Sequence, residues 1–495
     1  MFDSLLVAAD YLTGGINLAY LGLGVVIGLL FGTVPGLGGA TAIALLLPLS
    51  FGMEPEQAII LMGGIMGAVS IGGSVSAILL NTPGTAPNAA TCFDGYPLTQ
   101  QGKAGLAIGA AATASSIGGV IGVLILVLVL PIAKTIVLWF GPPAFFMMAV
   151  LGLTSLTVAR GNMLRGLIAA CLGLFIGFVG YDDIGGTERF TGGIEFLWDG
   201  ISIVPMLIGL FAIAEMMKLY VSGGPIARAG SAARITGTRQ GILSAFKNFK
   251  TVLSGSAIGS IVGSVPGVGG TVASFLSYSF TAQSSKDNQN FGKGDVRGVI
   301  ASEAANNAKD GGALIPTLAF GIPGSAEMAL FLGVLVLHGM DPGPMLLIER
   351  ESTIFMLILA LLTATIFSGT LVLLAARYLS KIAHVDSAVL IPAVIIVSLV
   401  GAYALHGSIG DVFAAAFFGL VGYVMIRANY PRITLIIAFV LSGLMERNFI
   451  QSMIMFRGDW LKFFGDTTTV VLFALSILVL LIPLIRFVRS RRRMA

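Results

Sequence analysis

The sequence predicts an all-α polytopic membrane protein: two inverted repeats with re-entrant hairpins and Pro-Gly-broken helices, in roughly 11–12 transmembrane segments plus two hairpins. Three observations predict it. Hydrophobic residues make up 56% of the 495 residues and charged residues only 11%, where a soluble domain carries roughly a quarter charged. Glycine supplies 66 residues, about twice its average usage. Short blocks of glycine and proline in the first half also return, in order, in the second.

These numbers exclude whole classes. A mean hydropathy of +0.95 leaves too little polar side chain to cover a water-facing enzyme of this size. The net charge is only +4, and much of the excess sits at Arg486, Arg489, Arg491, Arg492 and Arg493. Cations closing a hydrophobic segment mark a cytoplasmic membrane face, not a nucleic-acid partner. Cys92 and Cys171 stand in apolar or small-residue surroundings without metal spacing, so neither a disulfide framework nor a transition-metal site is expected. The first residues lack a basic stretch, so a cleaved signal peptide is not expected.

Apolar runs bounded by charged or turn residues give the elements in order. Candidate spans lie near 16–31, 37–50, 58–80, 104–130, 136–158, 163–181 and 201–221. A polar connector at 222–250 follows, with Arg228, Arg234, Arg239, Lys247 and Lys250. Further spans lie near 251–264, 268–282, 299–320, 325–339, 353–376, 388–405, 408–427, 432–447 and 468–487. Several are too short to cross alone, since about 20 residues are needed. Short pairs interrupted by Gly and Pro read as hairpins and broken helices.

The repeat divides the chain into 1–221, the basic connector 222–250, and 251–495 with an extra C-terminal helix. Gly32-Thr33-Val34-Pro35-Gly36-Leu37-Gly38-Gly39 returns as Gly263-Ser264-Val265-Pro266-Gly267-Val268-Gly269-Gly270. Pro83-Gly84-Thr85-Ala86 returns as Pro323-Gly324-Ser325-Ala326, and Ala169-Ala170 with Gly173-Leu174 as Ala415-Ala416 with Gly419-Leu420. Loop charge then sets orientation, because Lys and Arg gather on the cytoplasmic side. Glu54 and Glu56 face Lys286, Lys293 and Arg297 across the repeat, the latter diluted by Asp287 and Asp295. Arg160 and Arg165 face His406 and Asp411, while Asp182, Asp183 and Glu188 face Arg427 and Arg432. All three comparisons change sign. Lys134 against Arg377 and Lys381 is the one misfit. The halves are expected to be inverted, with the connector and C-terminus cytoplasmic.

Irregular backbone inside lipid survives only where it faces protein or a wet cavity. Four such breaks are predicted: Pro35–Gly39, Pro266–Gly270, Asn81–Thr85 and Gly321–Ser325. Proline removes a donor and glycine permits unusual dihedrals. Freed carbonyls can then coordinate a cation, and helix N-termini attract carboxylate. For substrate this selects Asn81, Thr82, Thr85, Asn88, Asn306, Asn307, Gly324, Ser325 and the tip glycines Gly36, Gly38, Gly267 and Gly269. For the ion, expected as Na⁺ at the same breaks or H⁺, it selects Asn81, Pro83, Gly84, Gly321, Pro323, Ser325 and Glu303.

Glu303, Asn306 and Asn307 share one helix face, followed by Lys309 and Asp310. That face looks into the substrate cavity, makes a packed polar contact with the other half, or belongs to a segment end already in the headgroups. No Arg or Lys is expected deep in the spans, so helix ends and amides would neutralise the anion. The tips lack a Gly-Lys-Ser/Thr sequence and are not a nucleotide loop. His338, His384 and His406 fall near span ends and read as interfacial, and Glu215 with Lys218 reads as a local ion pair.

The blocks Gly32–Gly39, Asn81–Asn88 with Phe93-Asp94-Gly95-Tyr96-Pro97-Leu98, Gly263–Gly270, and Glu303–Asn307 with Ile315-Pro316-Thr317 and Gly321-Ile322-Pro323-Gly324 resemble the large membrane subunit of tripartite tricarboxylate transporters, the TctA family. The resemblance runs from about Ile16 to the end of the chain. It implies a small TctB-like membrane subunit and a periplasmic TctC-like solute-binding protein. It also implies ion-driven import of citrate-like carboxylates across a bacterial inner membrane, without a cofactor. Elevator-like motion, within a homodimer of the complex as one arrangement, would alternate access. Two rival readings are a channel and an intramembrane aspartyl protease. The latter rests on Tyr181-Asp182 and Gly410-Asp411, but Ser408 stands where its second motif wants glycine.

Overall fold

The computed structural model describes residues 2–137, 139–159, 163–182, 185–222, 235–382 and 387–494. Arg160, Asp183, Arg228, Arg234 and His384, named above, lie outside the described residues. The described chain is helical apart from one two-residue hairpin, β1 (Gly180–Tyr181) against β2 (Glu188–Arg189), with Tyr181 opposite Glu188.

In chain order, α1 (Phe2–Thr13) and α2 (Gly15–Thr33) lead through a tight turn into α3 (Gly38–Ser50). Then come α4 (Pro55–Leu80), a 3₁₀ turn at Ala86–Asn88, α5 (Ala89–Gln100), α6 (Ala104–Val137), α7 (Pro142–Ala159) and α8 (Met163–Gly177). After the hairpin, α9 (Ile203–Leu207) passes through a π-helical stretch, Ile208–Ile213, into α10 (Ala214–Ser222). Arg432 donates to the Leu210 carbonyl of that stretch at 2.7 Å, which satisfies an acceptor that the wider winding disturbs.

The second half holds α11 (Thr238–Lys247), α12 (Phe249–Gly263), α13 (Gly269–Ser284), α14 (Val296–Phe320), α15 (Ala326–Leu337) and α16 (Pro344–Glu349). It ends with α17 (Glu351–Ile382), α18 (Ser387–His406), α19 (Ile409–Arg427), α20 (Arg432–Met455), α21 (Trp460–Phe463) and α22 (Thr467–Met494).

Eight described helices are long and apolar enough to cross a membrane, and five shorter apolar helices accompany them. The chain is a multi-pass membrane protein. Several boundaries differ from the sequence reading. The span expected at 104–130 continues to Val137, because Pro131 is accommodated inside α6. The segment expected at 163–181 leaves the helix at Gly177, and its last two residues form β1. Helices α1, α5 and α11 were not foreseen, since they are short and two carry many polar residues.

Two helices organise the interior, α4 and α14, both buried along most of their length. Lipid offers no hydrophobic drive between helices, so close backbone approach through small residues takes its place. Gly24, Gly28 and Gly32 of α2 lie against α4, and a Cβ at Gly28 would stand 2.6 Å from the Ile65 carbonyl. Around α14 the same task falls to Gly118 and Gly122 of α6 and to Gly259 and Gly263 of α12. The start of α14 is fixed from two sides. Asp295 caps it by accepting from the Arg297 amide at 2.9 Å. Buried Asp94 of α5 accepts from the Gly294 and Asp295 amides at 2.8 and 2.9 Å and from the Tyr278 hydroxyl at 2.9 Å.

Candidate substrate and ion site

The two V-P-G-x-G-G tips adopt one backbone. Gly36 and Gly38 have φ of +87° and +66°, and Gly267 and Gly269 have +80° and +73°. Only glycine takes this left-handed region without strain, so the spacing of the glycines is dictated by the turn. Each turn closes with the same bond at 3.3 Å, Leu37 amide to Val34 carbonyl and Val268 amide to Val265 carbonyl. Helices α3 and α13 start directly behind.

The Pro-Gly breaks also match. Helix α4 stops at Asn81 with φ +53° and α14 at Gly321 with φ +68°. In the first, the Asn81 and Thr82 amides both fold back to the Ser76 carbonyl. In the second, the Gly321 and Ile322 amides fold back to Pro316. Ser325 then caps α15 by accepting from the Met328 amide at 3.3 Å.

The four breaks meet around one cavity of about 510 Å³, a size suited to a small ligand. Its wall includes Gly36, Gly38, Gly84, Thr85, Gly267, Gly269, Gly324 and Ser325. Helices α3, α13 and α15 all begin on it, and helix N-termini favour anions. A second cavity of about 300 Å³, lined by Arg165 and Arg432, shares Ile433 with the first.

The remaining selected residues stand elsewhere. Asn81, Thr82, Pro83, Gly321 and Pro323 shape the breaks without lining the cavity. Glu303 is fully buried and away from it, its carboxylate accepting from Asn88 Nδ2 at 3.0 Å, Ser115 Oγ at 2.8 Å and Thr91 Oγ1. Glu303 thus makes a packed polar contact with residues of the first half in this structure. Thr85 links this network to the cavity wall, donating to Asn88 Oδ1 at 2.5 Å. Asn306, on the same face, is buried with neither amide atom hydrogen-bonded to protein, and Asn307 Oδ1 is likewise unpartnered. The two amide oxygens can accept a cation or a water, and the Asn306 Nδ2 can donate to a water.

The sequence reading missed two residues and was wrong about a third point. The segment expected as a span at 299–320 does hold a buried cation: Lys309 is 4% exposed near the middle of α14, and its side chain reaches the cavity wall. Its Nζ stands 2.5 Å from Asp310 Oδ1 and 3.4 Å from Glu327 Oε2. Glu327, in the first turn of α15, is the other charged residue of that wall. The signal for both was present, in a lysine inside an apolar span and a glutamate just past a Pro-Gly break. Lys218 pairs with Glu215 at 3.1 Å, but Glu215 also takes the distant Arg432 at 2.5 Å. His338 meets Ser50 Oγ at 3.3 Å, and His406 pairs with Asp411 at 2.7 Å.

Residues 18–437 match the Tripartite tricarboxylate transporter TctA family. The chain belongs to the TctA family. It is 33% identical to an uncharacterized 52.8 kDa protein in the TAR-I ttuC' 3'region of Agrobacterium vitis, over 96% of this chain and 95% of that one. It is 32% identical to an uncharacterized protein in the TAR-II ttuC' 3'region of the same organism, over 47% of this chain and 97% of the relative. No solved structure matches significantly. TctA proteins are transporter subunits, not enzymes, so the aspartyl-protease reading falls away. Its two aspartates are held locally as well, Asp182 accepting from the Gly185 amide and Asp411 pairing with His406.

Proposed function

We propose that this chain is the large permease of a secondary import system for small carboxylates. A solute-binding protein delivers the anion outside a bacterial inner membrane, and a small membrane subunit completes the complex. The observation that carries the reading is the convergence of four glycine-proline breaks and three helix N-termini on one cavity. That wall is rich in glycine and carries the N-termini of three helices, a surface suited to carboxylate oxygens.

The driving force is a Na⁺ or H⁺ gradient. Freed carbonyls and hydroxyls at Asn81–Thr85 and Gly321–Ser325, with Glu303, Asn306 and Asn307 behind them, are the ion's candidate surroundings. The matched turns and breaks of 1–221 and 251–495 support a repeat, and the loop charges support its inversion, with the C-terminus cytoplasmic. Alternating access then moves the cavity-bearing part against a scaffold part.

Reconstitution of the full three-component system in proteoliposomes tests this. Labelled citrate should accumulate only when the binding protein and an inward cation gradient are both present. Accumulation driven by ATP without a gradient would overturn it, and flux indifferent to any gradient would favour a channel.

A further inference from the structure

This inference rests on the transport reading and concerns how substrate and cation meet. Among the described residues, Lys309 and Glu327 are the two charged side chains of this cavity's wall. Asp310 stands behind them, buried and close to Lys309. The cluster holds two carboxylates and one ammonium. Lys309 therefore keeps a tight partner in Asp310 at 2.5 Å and a looser one in Glu327 at 3.4 Å.

The tip motifs are shaped around this pair. A Cβ at Gly39, the last residue of the first motif, would lie 2.6 Å from Glu327 Oε1. A Cβ at Gly270, the last residue of the second, would run into the Lys309 side chain. Equivalent glycines of the two motifs thus each leave room for one member of the pair. Neither glycine has a left-handed φ, so the turn itself does not demand them.

An incoming carboxylate finds Lys309 attractive and Glu327 repulsive, and in a poorly screened interior the repulsion is strong. Lys309 can take the anion only if Glu327 is neutralised at the same time. We propose that Lys309 is the residue that binds the substrate carboxylate, and that Glu327, its partner in this structure, is the seat of the co-transported cation. The substrate replaces Glu327 on Lys309, and Glu327 passes to the cation. Coupling follows from charge: with two carboxylates to one ammonium the cluster already carries one net negative charge, so the anion cannot enter favourably unless the cation is bound.

The test uses the full complex in proteoliposomes with labelled citrate as probe, under a Na⁺ gradient, a pH gradient, or neither. In the wild type one gradient stimulates uptake, and which one identifies the cation. Glu327→Gln should bring the ratio of stimulated to unstimulated uptake down to about one. Lys309→Gln should raise the citrate KM about tenfold or more, as loss of a charge-assisted hydrogen bond predicts, with partial rescue by Lys309→Arg. Gly39→Ala, which displaces Glu327 without changing any charge, should lower the same ratio.

Where a variant's uptake is too low to give a ratio, melting of the purified chain decides. The activating cation should raise the wild-type melting temperature and leave Glu327→Gln unmoved. An unchanged ratio and an unchanged cation-induced shift in Glu327→Gln would overturn the proposal, as would an unchanged citrate KM in Lys309→Gln. If wild-type uptake ignores every cation gradient, the transport reading itself fails, which is a separate outcome.

Discussion

The two Pro-Gly breaks share a backbone and differ in chemistry. Each stops its helix on a left-handed residue, and each sets its glycine against the first glycine of its own half's tip motif, Gly84 on Gly32 and Gly324 on Gly263. Beyond that they part. The first turns its side chains inward: Thr85 holds Asn88, and Asn88 holds Glu303 of α14. The second turns its chemistry to the cavity, with Ser325 capping the short helix that presents Glu327. One break fastens the halves together and the other carries charge. The backbone device is the same at both breaks while the side chains divide the work.

The fastening role predicts the largest effect. Glu303→Leu removes the shared acceptor of Asn88, Thr91 and Ser115 in a fully buried setting. Asn88 keeps the Ser70 carbonyl and Thr91 keeps Ser302, but each donor left short of an acceptor costs about 1–3 kcal/mol, so the purified chain should melt well below the wild type. A variant melting with the wild type would mean that the first break does not hold α14.

Backbone packing gives the next contrast. A Cβ at Gly84 would stand 2.6 Å from Gly73 Cα, with the Gly32 carbonyl closer still. A Cβ at Gly324 would stand 3.0 Å from the Gly263 carbonyl and 3.2 Å from Ala313 Cβ. Gly84→Ala is therefore expected to destabilise by about 1–3 kcal/mol or more, as overpacked sites do. Gly324→Ala should cost about 1 kcal/mol or less, because shifts of a few tenths of an ångström suffice. Equal losses in thermal melting would show that the breaks are packed alike.

The breaks and tips were legible in the sequence because proline and glycine act locally, through a missing donor and an allowed dihedral. Pro35 to Gly39 and Pro266 to Gly270 announce their turns without reference to anything distant. Asn88 and Glu303 were also visible as polar residues in apolar surroundings, but not as partners. Their contact joins α14 to the loop after α4 across most of the first half, and no local rule sets it. Lys309 was misjudged for a related reason. Read beside Asp310, it resembled the end of a segment, whereas the cap at Asp295 and the stop at Gly321 place it mid-helix. Its role depends on Glu327 and Gly270, which only packing brings to it.

The smallest predicted effect separates the two breaks by function more than by stability. Thr85→Val and Ser325→Ala each remove one hydrogen bond, worth about 1 kcal/mol, so their melting temperatures should fall by similar amounts. Their consequences should differ. Loss of the Ser325 cap loosens the first turn of α15, which holds Glu327 at 3.4 Å from Lys309. Loss of the Thr85 hydroxyl leaves Asn88 Oδ1 without its donor but touches no charge. Ser325→Ala should therefore lower the cation stimulation of citrate uptake more than Thr85→Val does. If the two variants shift the ratio equally, the division of labour between the breaks is wrong, because a general loosening would then explain both.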